Sequence, residues 1–312
     1  MLDLVEGADL VAYCGGTTLT EIYQLDGKIF DIDVARRAGR PYVFLQQSAG
    51  PFVKQSNRDS LGRQFRESAL VVLRDERSKT HVEDLGVPQG RCIVLPDTAF
   101  ALASPEHLHA SKTDGSQDIR LAISVREWKH FGERDPEEGM RIYIEALRQT
   151  VSVLVREQGA HVTFVSTCQG RPEYWTDDSK MALKIYAGLE EDVRRGVTVD
   201  RAFRTTQELL EFLSTFDAMV STRLHGAILA VDAGVPTLAI AYEYKTHEVW
   251  SQLGLQRYVL DIEDLDPSHL VEATVSLLQD RAKVRTILQR EVPVMAEGAL
   301  SAASAIRSVL NH

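Results

Sequence analysis

Three apolar, strand-like runs of the sequence end in arginine, and a histidine closely follows one of them. LVVLR ends at Arg74, LAISVR ends at Arg126 and DAMVSTR ends at Arg223, with His225 two residues further on. In open α/β sheets, ligands bind beyond the carboxyl ends of the strands, where a guanidinium can pair bidentately with carboxylate or phosphate. A single arginine of this kind is often a solvated residue or an ion-pair partner. Three of them predict a site for a small molecule with more than one anionic group.

The most informative segment, residues 221–245, reads STRLHGAILAVDAGVPTLAIAYEYK. It predicts a strand, a helix that starts near Leu224 and a second strand. The first N–H groups of a helix attract anions, and Ser221 or Thr222 can cap this helix.

His225 can exchange a proton near neutral pH, or it can be an ordinary histidine at a helix start. Residues two apart on a helix do not share a face. Arg223 and His225 therefore reach one ligand only if Arg223 precedes the first turn.

Lys245 and a pair of glycines are further candidates for substrate binding. Lys245 follows the second strand of the segment and either holds another anionic group or lies solvated in a loop. Gly15 and Gly16 follow the first predicted strand and indicate a turn into a helix. This turn either brings the backbone close to a ligand or simply joins the two elements.

Apolar runs alternate with helical patterns along most of the chain, which indicates α/β architecture with parallel sheets. The polar segment 104–118 predicts a boundary between an N-terminal domain, 1–107, and a C-terminal domain, 118–312. The tail 280–310 predicts a helix broken near Pro293. The predicted strands are Asp9–Cys14, Pro41–Gln46, Ala69–Leu73, Cys92–Leu95, Ile119–Val125, His161–Ser166, Ala218–Ser221 and Pro236–Ala241.

Composition excludes several classes of function. The 312 residues include 35 Lys and Arg against 45 Asp and Glu, a net charge of −10, which does not suit non-specific binding of nucleic acid. The 3 cysteines show no paired spacing, so neither a disulfide framework nor a metal site is predicted. The apolar runs are too short to span a membrane, and the acidic start of the chain differs from a signal peptide. A cytoplasmic location is therefore expected.

The sequence resembles the polysaccharide pyruvyl transferase family, particularly its branch related to colanic acid and amylovoran biosynthesis. The R-L-H motif at 223–225, with the G-x-P strand that follows it, is the most specific feature. The matching pieces are ADLVAYCGGTTLTE (8–21), GRPYVFLQQSAGPF (39–52), VVLRDERS (71–78), LPDTAFAL (95–102), AISVREW (122–128), FVSTCQG (164–170) and residues 221–245.

The resemblance implies a GT-B-like fold, in which two Rossmann-like doubly wound domains face each other across a cleft. The N-terminal domain would serve the acceptor and the C-terminal domain the donor. It also implies transfer of pyruvate from phosphoenolpyruvate to a sugar as a ketal, with no cofactor. The family's donor-binding positions map onto Arg126, Arg223, Leu224 and His225, and Arg74 matches an R-D-x-x-S motif. We expect His225 to act as the catalytic acid.

The expected partners are phosphoenolpyruvate and a glycan or glycolipid acceptor, with peripheral membrane contact if the acceptor is lipid-linked. Family members usually begin with another strand and an Asn/Gly-rich loop upstream of the piece at 8–21, so the first domain is expected to be incomplete. Two other functions fit the same residues. One is a nucleotide-sugar glycosyltransferase that places Glu243 or Glu248 on the ribose, and the other is a catalytically silent binding protein.

Overall fold

The computed structural model describes residues 2–109, 119–170 and 177–310, and the chain divides into two compact units. Unit 1 comprises residues 1–101 and 294–312, and unit 2 comprises residues 102–293. Most of the predicted linker, 104–118, lies outside the described residues. The observed division differs from the predicted C-terminal domain, 118–312, because the residues after Pro293 belong to unit 1. At Gly298, for example, an added Cβ would lie 2.8 Å from the Pro96 ring.

Unit 1 contains a four-stranded parallel sheet in the order β1-β2-β3-β4. Its core includes buried aromatic and aliphatic residues such as Phe44, Phe65 and Leu61. The strands are β1 (Val11–Leu19), β2 (Tyr42–Ala49), β3 (Leu70–Leu73) and β4 (Cys92–Val94), and the helices are α1 (Leu2–Glu6), α2 (Asp26–Arg37), α3 (Gln55–Glu67) and α4 (Glu76–Glu83).

The two glycines near the start of the chain lie inside β1, so the prediction of a turn into a helix at this point is wrong. A Cβ on Gly15 would lie 3.0 Å from the carbonyl oxygen of Gln46 on β2, and Gly16 has a φ of +146°. The close approach that needs glycine is therefore an approach between two strands.

Unit 2 contains a six-stranded parallel sheet in the order β10-β9-β8-β5-β6-β7. The strands are β5 (Arg120–Ser124), β6 (His161–Phe164), β7 (Val197–Val199), β8 (Ala218–Ser221), β9 (Thr237–Ala241) and β10 (Val259–Asp261). The helices that begin in this unit are α5 (Pro105–Leu108), α6 (Pro136–Gln158), α7 (Asp178–Ala187), α8 (Glu191–Arg194), α9 (Thr206–Leu213), α10 (Leu224–Asp232), α11 (Tyr244–Gln252), α12 (Pro267–Gln279) and α13 (Arg281–Leu310).

The strand order reverses between β5 and β8. From β5 the chain proceeds outwards through β6 and β7, then returns to β8 on the other side of β5 and proceeds through β9 and β10. Ligands in open α/β sheets bind at such a switch point, beyond the carboxyl ends of the strands. The last paired residues of these two strands are Ser124 and Ser221. Arg126 lies two residues after Ser124, and Arg223 lies two residues after Ser221, so both arginines are at the switch point.

Local sequence signals define α6, the helix that packs beside this point. Asp135 caps it by accepting the N–H groups of Glu137 and Glu138, Pro136 occupies its first turn, and Gly159 ends it in the left-handed conformation. These are the preferred residue types at helix ends. The helix buries one face, which brings Tyr143 towards the carboxyl end of β5.

Pro293 does not break the last helix, so this part of the sequence-based prediction is wrong. A proline removes one backbone donor and disfavours a helix interior. Buried side chains on both sides of it, including Leu288, Val292, Met295 and Ala299, hold α13 against the protein, and tertiary packing often outweighs such a local penalty. None of the helices within the described ranges has the length and apolar character that a membrane span needs.

Candidate functional site

A cavity of about 440 Å³ lies at the carboxyl edge of the unit 2 sheet. Arg223, Leu224 and His225 line it together, so the structure brings the R-L-H motif to one site. The other lining residues come from the loops after β6, β7 and β9 and from α9 and α10, and they are Thr167, Cys168, Arg204, Thr206, Leu209, Leu229 and Tyr242.

Arg223 is the N-cap residue of α10, with extended backbone angles (φ −88°, ψ 117°). It therefore precedes the first turn, which confirms the condition under which Arg223 and His225 can reach one ligand. The expected cap by Ser221 or Thr222 is wrong, because no side chain caps this helix. Ser221 instead donates its hydroxyl to the Arg223 carbonyl (2.9 Å), and Thr222 is hydrogen-bonded to Tyr143.

A carboxylate from the start of α7 holds the Arg223 side chain. The Nε and Nη2 groups of Arg223 donate to Asp178 over 2.9 and 2.6 Å, and Asp178 is 2% exposed. Burial raises the pKa of the Asp178 carboxyl, and the hydrogen bonds and charge of Arg223 oppose that rise. This bidentate pair fixes the guanidinium plane and leaves Nη1 of Arg223 without a partner among the described residues.

Two aromatic rings hold Arg126 in a different way. Its guanidinium carbon lies 4.0 Å from the centre of the Tyr242 ring and 4.6 Å from that of Trp128. Such cation–π contacts orient a guanidinium without neutralising it. Arg126 forms no ion pair within the described part of the chain, and its positive charge also acts on the Asp178 carboxyl. It thus brings a full positive charge to the switch point.

Tyr143 connects the two arginine-bearing loops. Its hydroxyl accepts the backbone N–H of Arg126 over 3.3 Å and is hydrogen-bonded to the Thr222 hydroxyl over 2.7 Å. Burial raises the pKa of Tyr143 to about 12, so the phenol stays protonated and can serve both partners. This buried contact joins the loop after β5 to the loop after β8.

His225 and Leu224 form the first turn of α10. His225 is exposed on the cavity wall, whereas Leu224 is buried at 5% exposure. The next residue, Gly226, is tightly packed: an added Cβ would lie 3.2 Å from Cγ2 of Thr167 and 3.3 Å from Oγ of Ser221. The loop after β6 therefore packs directly against the start of this helix.

Lys245 lies near the cavity, and its environment is not that of a solvated loop lysine. It is the second residue of α11, is only 7% exposed and contacts Glu243 over 2.7 Å. Its ammonium also lies 5.4 Å from the centre of the Tyr242 ring. A solvated loop lysine is therefore wrong, and contact between Lys245 and substrate stays a prediction.

The remaining predicted binding residues, Arg74, Gly15 and Gly16, lie in unit 1. The Arg74 guanidinium is 6% exposed and forms a buried ion pair with Asp97. It also donates to the Ser48 hydroxyl (3.0 Å) and to the Gly16 carbonyl (3.1 Å). These contacts bind the strands of unit 1 to one another, and a role of these three residues in binding substrate stays a prediction.

Several residues of the site carry no signal in the sequence pattern. Asp178 lies 45 positions from Arg223, Tyr143 belongs to a long helix, and Tyr242 and Trp128 are recognised only from their contacts with Arg126. In the ranges that the structure describes, no group of three or more His, Cys, Asp or Glu side chains is placed to hold a metal ion. A larger cavity, about 680 Å³ along α6, is lined by Trp128 but by none of Arg126, Arg223, Leu224 and His225.

The fold is similar to those of several solved structures. Alr3699/HepE from Anabaena, solved with UDP, matches with a TM-score of 0.62 and 14% identity, over 99% of this chain and 80% of that one. A putative UDP-N-acetylglucosamine 2-epimerase from Listeria monocytogenes matches with a TM-score of 0.59 and 13% identity, over 99% and 77%. At these identities the likeness concerns the fold alone, and it confirms the predicted GT-B-like α/β class.

Sequence comparison identifies the family. The amylovoran biosynthesis protein AmsJ from Erwinia amylovora is 27% identical over 306 residues, which cover 93% of this chain and 70% of AmsJ. The model of the polysaccharide pyruvyl transferase family matches residues 3–244 and so includes the R-L-H motif. The chain belongs to the polysaccharide pyruvyl transferase family.

Proposed function

We propose that this protein transfers pyruvate from phosphoenolpyruvate to a sugar, forming a ketal across two hydroxyl groups in exopolysaccharide or cell-surface glycan biosynthesis. The observation that carries the proposal is the cavity in which Arg223 and His225 meet at the sheet's switch point, with Arg126 beside it. Family membership and the likeness to AmsJ support the same reaction class.

The charges of the site suit this donor. Phosphoenolpyruvate carries a phosphate and a carboxylate on either side of an enol carbon. Arg126 contributes an uncompensated charge, Arg223 contributes a fixed donor edge, and the uncapped start of α10 offers backbone N–H groups. Preorganised donors of this kind stabilise the charge that develops on a departing phosphate.

His225 supplies the proton in this mechanism. It protonates the methylene carbon, and a sugar hydroxyl attacks the adjacent carbon, so that a C–O bond forms as the enol double bond is consumed. A second sugar hydroxyl then forms the ketal's other C–O bond while the bond to phosphate breaks. Of the two hydroxyl protons released, one restores His225 and one leaves with the phosphate. A positioned proton transfer of this kind contributes about 10²–10⁴-fold.

The acceptor in this proposal is a glycan or glycolipid, and a lipid-linked acceptor would bring the protein to the membrane surface. We place the reaction in the cytoplasm, a compartment that would keep the free thiols of Cys14, Cys92 and Cys168 reduced. The nucleotide-sugar alternative finds less support in the geometry, because Glu243, one of its two candidate ribose ligands, is paired with Lys245.

Cys168 provides a direct test of donor binding. It lines the cavity with Arg223 and His225, so bound phosphoenolpyruvate should shield it from iodoacetamide. At ten times the dissociation constant, alkylation should slow about tenfold. Cys14, which is exposed in unit 1, serves as internal control in the same mass-spectrometric assay. Protection by UDP-glucose but not by phosphoenolpyruvate would favour the glycosyltransferase.

His225→Ala should abolish release of phosphate from phosphoenolpyruvate and acceptor, because the proton donor is lost. The expected decrease is at least about 100-fold, with an unchanged circular dichroism spectrum. His269→Ala is the matched control, since His269 is also exposed in the first turn of a helix, α12, away from the cavity. Near wild-type turnover of the His225 variant would remove this histidine from the mechanism.

A further inference from the structure

Arg204, which no sequence motif marks, lines the same cavity as Arg223 and His225. It lies in the loop between β7 and α9, and its guanidinium carbon is 3.8 Å from the centre of the Phe212 ring. Its Nη1 and Nη2 groups pair with the two carboxylate oxygens of Asp200, Nη2 at 3.1 Å. The side chain is 20% exposed, and these contacts position it at the cavity wall.

Arg204 and Arg223 are held in the same manner. A carboxylate binds each guanidinium along one edge, Asp200 in one case and Asp178 in the other. The pairs leave Nε of Arg204 and Nη1 of Arg223 without a partner among the described residues. Each arginine thus retains donors for a ligand, in an orientation that is already fixed before the ligand binds.

The two helix starts at the cavity differ in their affinity for anions. At α9, Thr205 and Glu208 form a capping box, which satisfies N–H groups and places a carboxylate at the helix start. Hydrogen bonds from Thr205 lower the pKa of Glu208, so this carboxylate is ionised. At α10 no side chain caps the first turn. A doubly charged phosphate is therefore favoured at α10, and a group of lower charge is favoured beside α9.

We propose that Arg204 binds the carboxylate of the three-carbon donor, while Arg223, Arg126 and the first turn of α10 bind its phosphate. The carboxylate accepts from the Nε side of the Arg204 fork, and Asp200 keeps this fork in place. The assignment rests on the proposed function, since it concerns the binding of phosphoenolpyruvate in the same cavity. It adds a substrate-binding arginine that lies in a different loop from the R-L-H motif.

The test removes the donors without changing the charge of the cavity. The double variant Arg204→Gln with Asp200→Asn is charge-neutral, and its ligand affinities are measured by protection of Cys168 from iodoacetamide. Phosphoenolpyruvate should bind about 10- to 100-fold more weakly, the usual effect of losing charge-assisted hydrogen bonds. Inorganic phosphate, which has no carboxylate, should bind within about twofold of wild type.

The control variant is Arg156→Gln with Asp192→Asn. This pair is also bidentate, through Nε and Nη2 at 2.7 and 2.9 Å, but it is exposed and remote from the cavity. It should leave both affinities unchanged. If the first double variant does not fold, Arg204→Lys keeps the charge but not the planar fork, and it should weaken phosphoenolpyruvate selectively.

Two results would overturn the assignment of Arg204. Equal losses for phosphoenolpyruvate and phosphate would show a general disturbance of the cavity, and unchanged affinity for phosphoenolpyruvate would show that Arg204 is only a structural residue. A wild-type protein whose Cys168 gains no protection from phosphoenolpyruvate would instead contradict the proposed function itself.

Discussion

Arg126 and Arg223 carry the same charge but contribute to the site in different ways. Arg126 lies against Tyr242 and Trp128 and keeps its full charge, whereas Asp178 compensates Arg223 in a buried pair. Long-range attraction of an anion therefore depends mainly on Arg126. Arg223 orients the bound anion, because its remaining N–H donors are fixed relative to the start of α10.

This difference predicts the effect of Asp178→Asn. The asparagine places an N–H group against the guanidinium and removes one negative charge, so Arg223 loses its orientation while the site becomes more positive. We expect kcat to fall about 10- to 100-fold, as for other misplacements near reacting groups. Protection of Cys168 by inorganic phosphate should be unchanged or stronger.

Asp192→Asn is the control for that variant, because it disrupts an exposed bidentate pair elsewhere in unit 2. Weaker phosphate binding in Asp178→Asn, in proportion to its loss of kcat, would contradict a positioning role and indicate general damage to the site.

At the scale of single elements, the sequence predicts a strand wherever it contains a clear apolar run. All eight predicted strands are present, and Ala218–Ser221 has the predicted bounds. Two strands were not predicted, Val197–Val199 and Val259–Asp261, because each has only three residues, one of them polar, and so forms no apolar run. The pairing of Arg223 with Asp178 was also not predictable, since it depends on how α7 packs and not on a local pattern.

Asp33 on α2 provides a pH-dependent test of element stability. Hydrogen bonds, above all from Arg36, lower its pKa from 3.8 to about 2. A lowered pKa means that the folded state holds the proton less tightly, so Asp33 stabilises the fold above about pH 4, and this contribution is lost as the pH falls towards 2.

Asp33→Asn should therefore reduce the free energy of unfolding by about 1–2 kcal/mol at pH 7, measured by urea denaturation. The difference from wild type should shrink as the pH falls from 4 to 3. Asp31→Asn is the control, because Asp31 lies on the same helix and its side chain forms no ion pair or hydrogen bond with the described residues. A difference that stays constant with pH would contradict the role of the charge.

At the scale of the whole molecule, the division into two units depends on how α13 packs as well as on the linker between the two sheets. The boundary at residues 293 and 294 falls inside this helix. Pro293 predicts a break only through its local backbone penalty, the loss of one N–H donor. Long-range contacts, such as that of Gly298 with Pro96, determine where the last part of the helix packs.

Gly298→Ala tests that contact. The new Cβ would lie 2.8 Å from the Pro96 ring, which is part of the backbone and cannot rotate away, so overpacking should destabilise the protein by about 1–3 kcal/mol. Gly27→Ala is the control, because a Cβ there meets nothing within 4 Å, and alanine should stabilise α2 by at most about 1 kcal/mol. Thermal unfolding of both variants measures the difference, and equal melting temperatures would contradict the proposed packing.

The stacking of Arg126 on Trp128 has an optical consequence. The centre of the Trp128 ring lies 4.6 Å from the guanidinium carbon of Arg126. An anion that binds Arg126 will move or partly neutralise this positive charge. The electric field at the indole ring will then change, and the emission wavelength of Trp128 will shift. Trp250, by contrast, is 0% exposed in the core, and its emission should stay constant. Donor binding can therefore be followed by intrinsic fluorescence without a label in a Trp175→Phe background, because Trp175 lies outside the described residues. Adding Trp128→Phe should then abolish the signal.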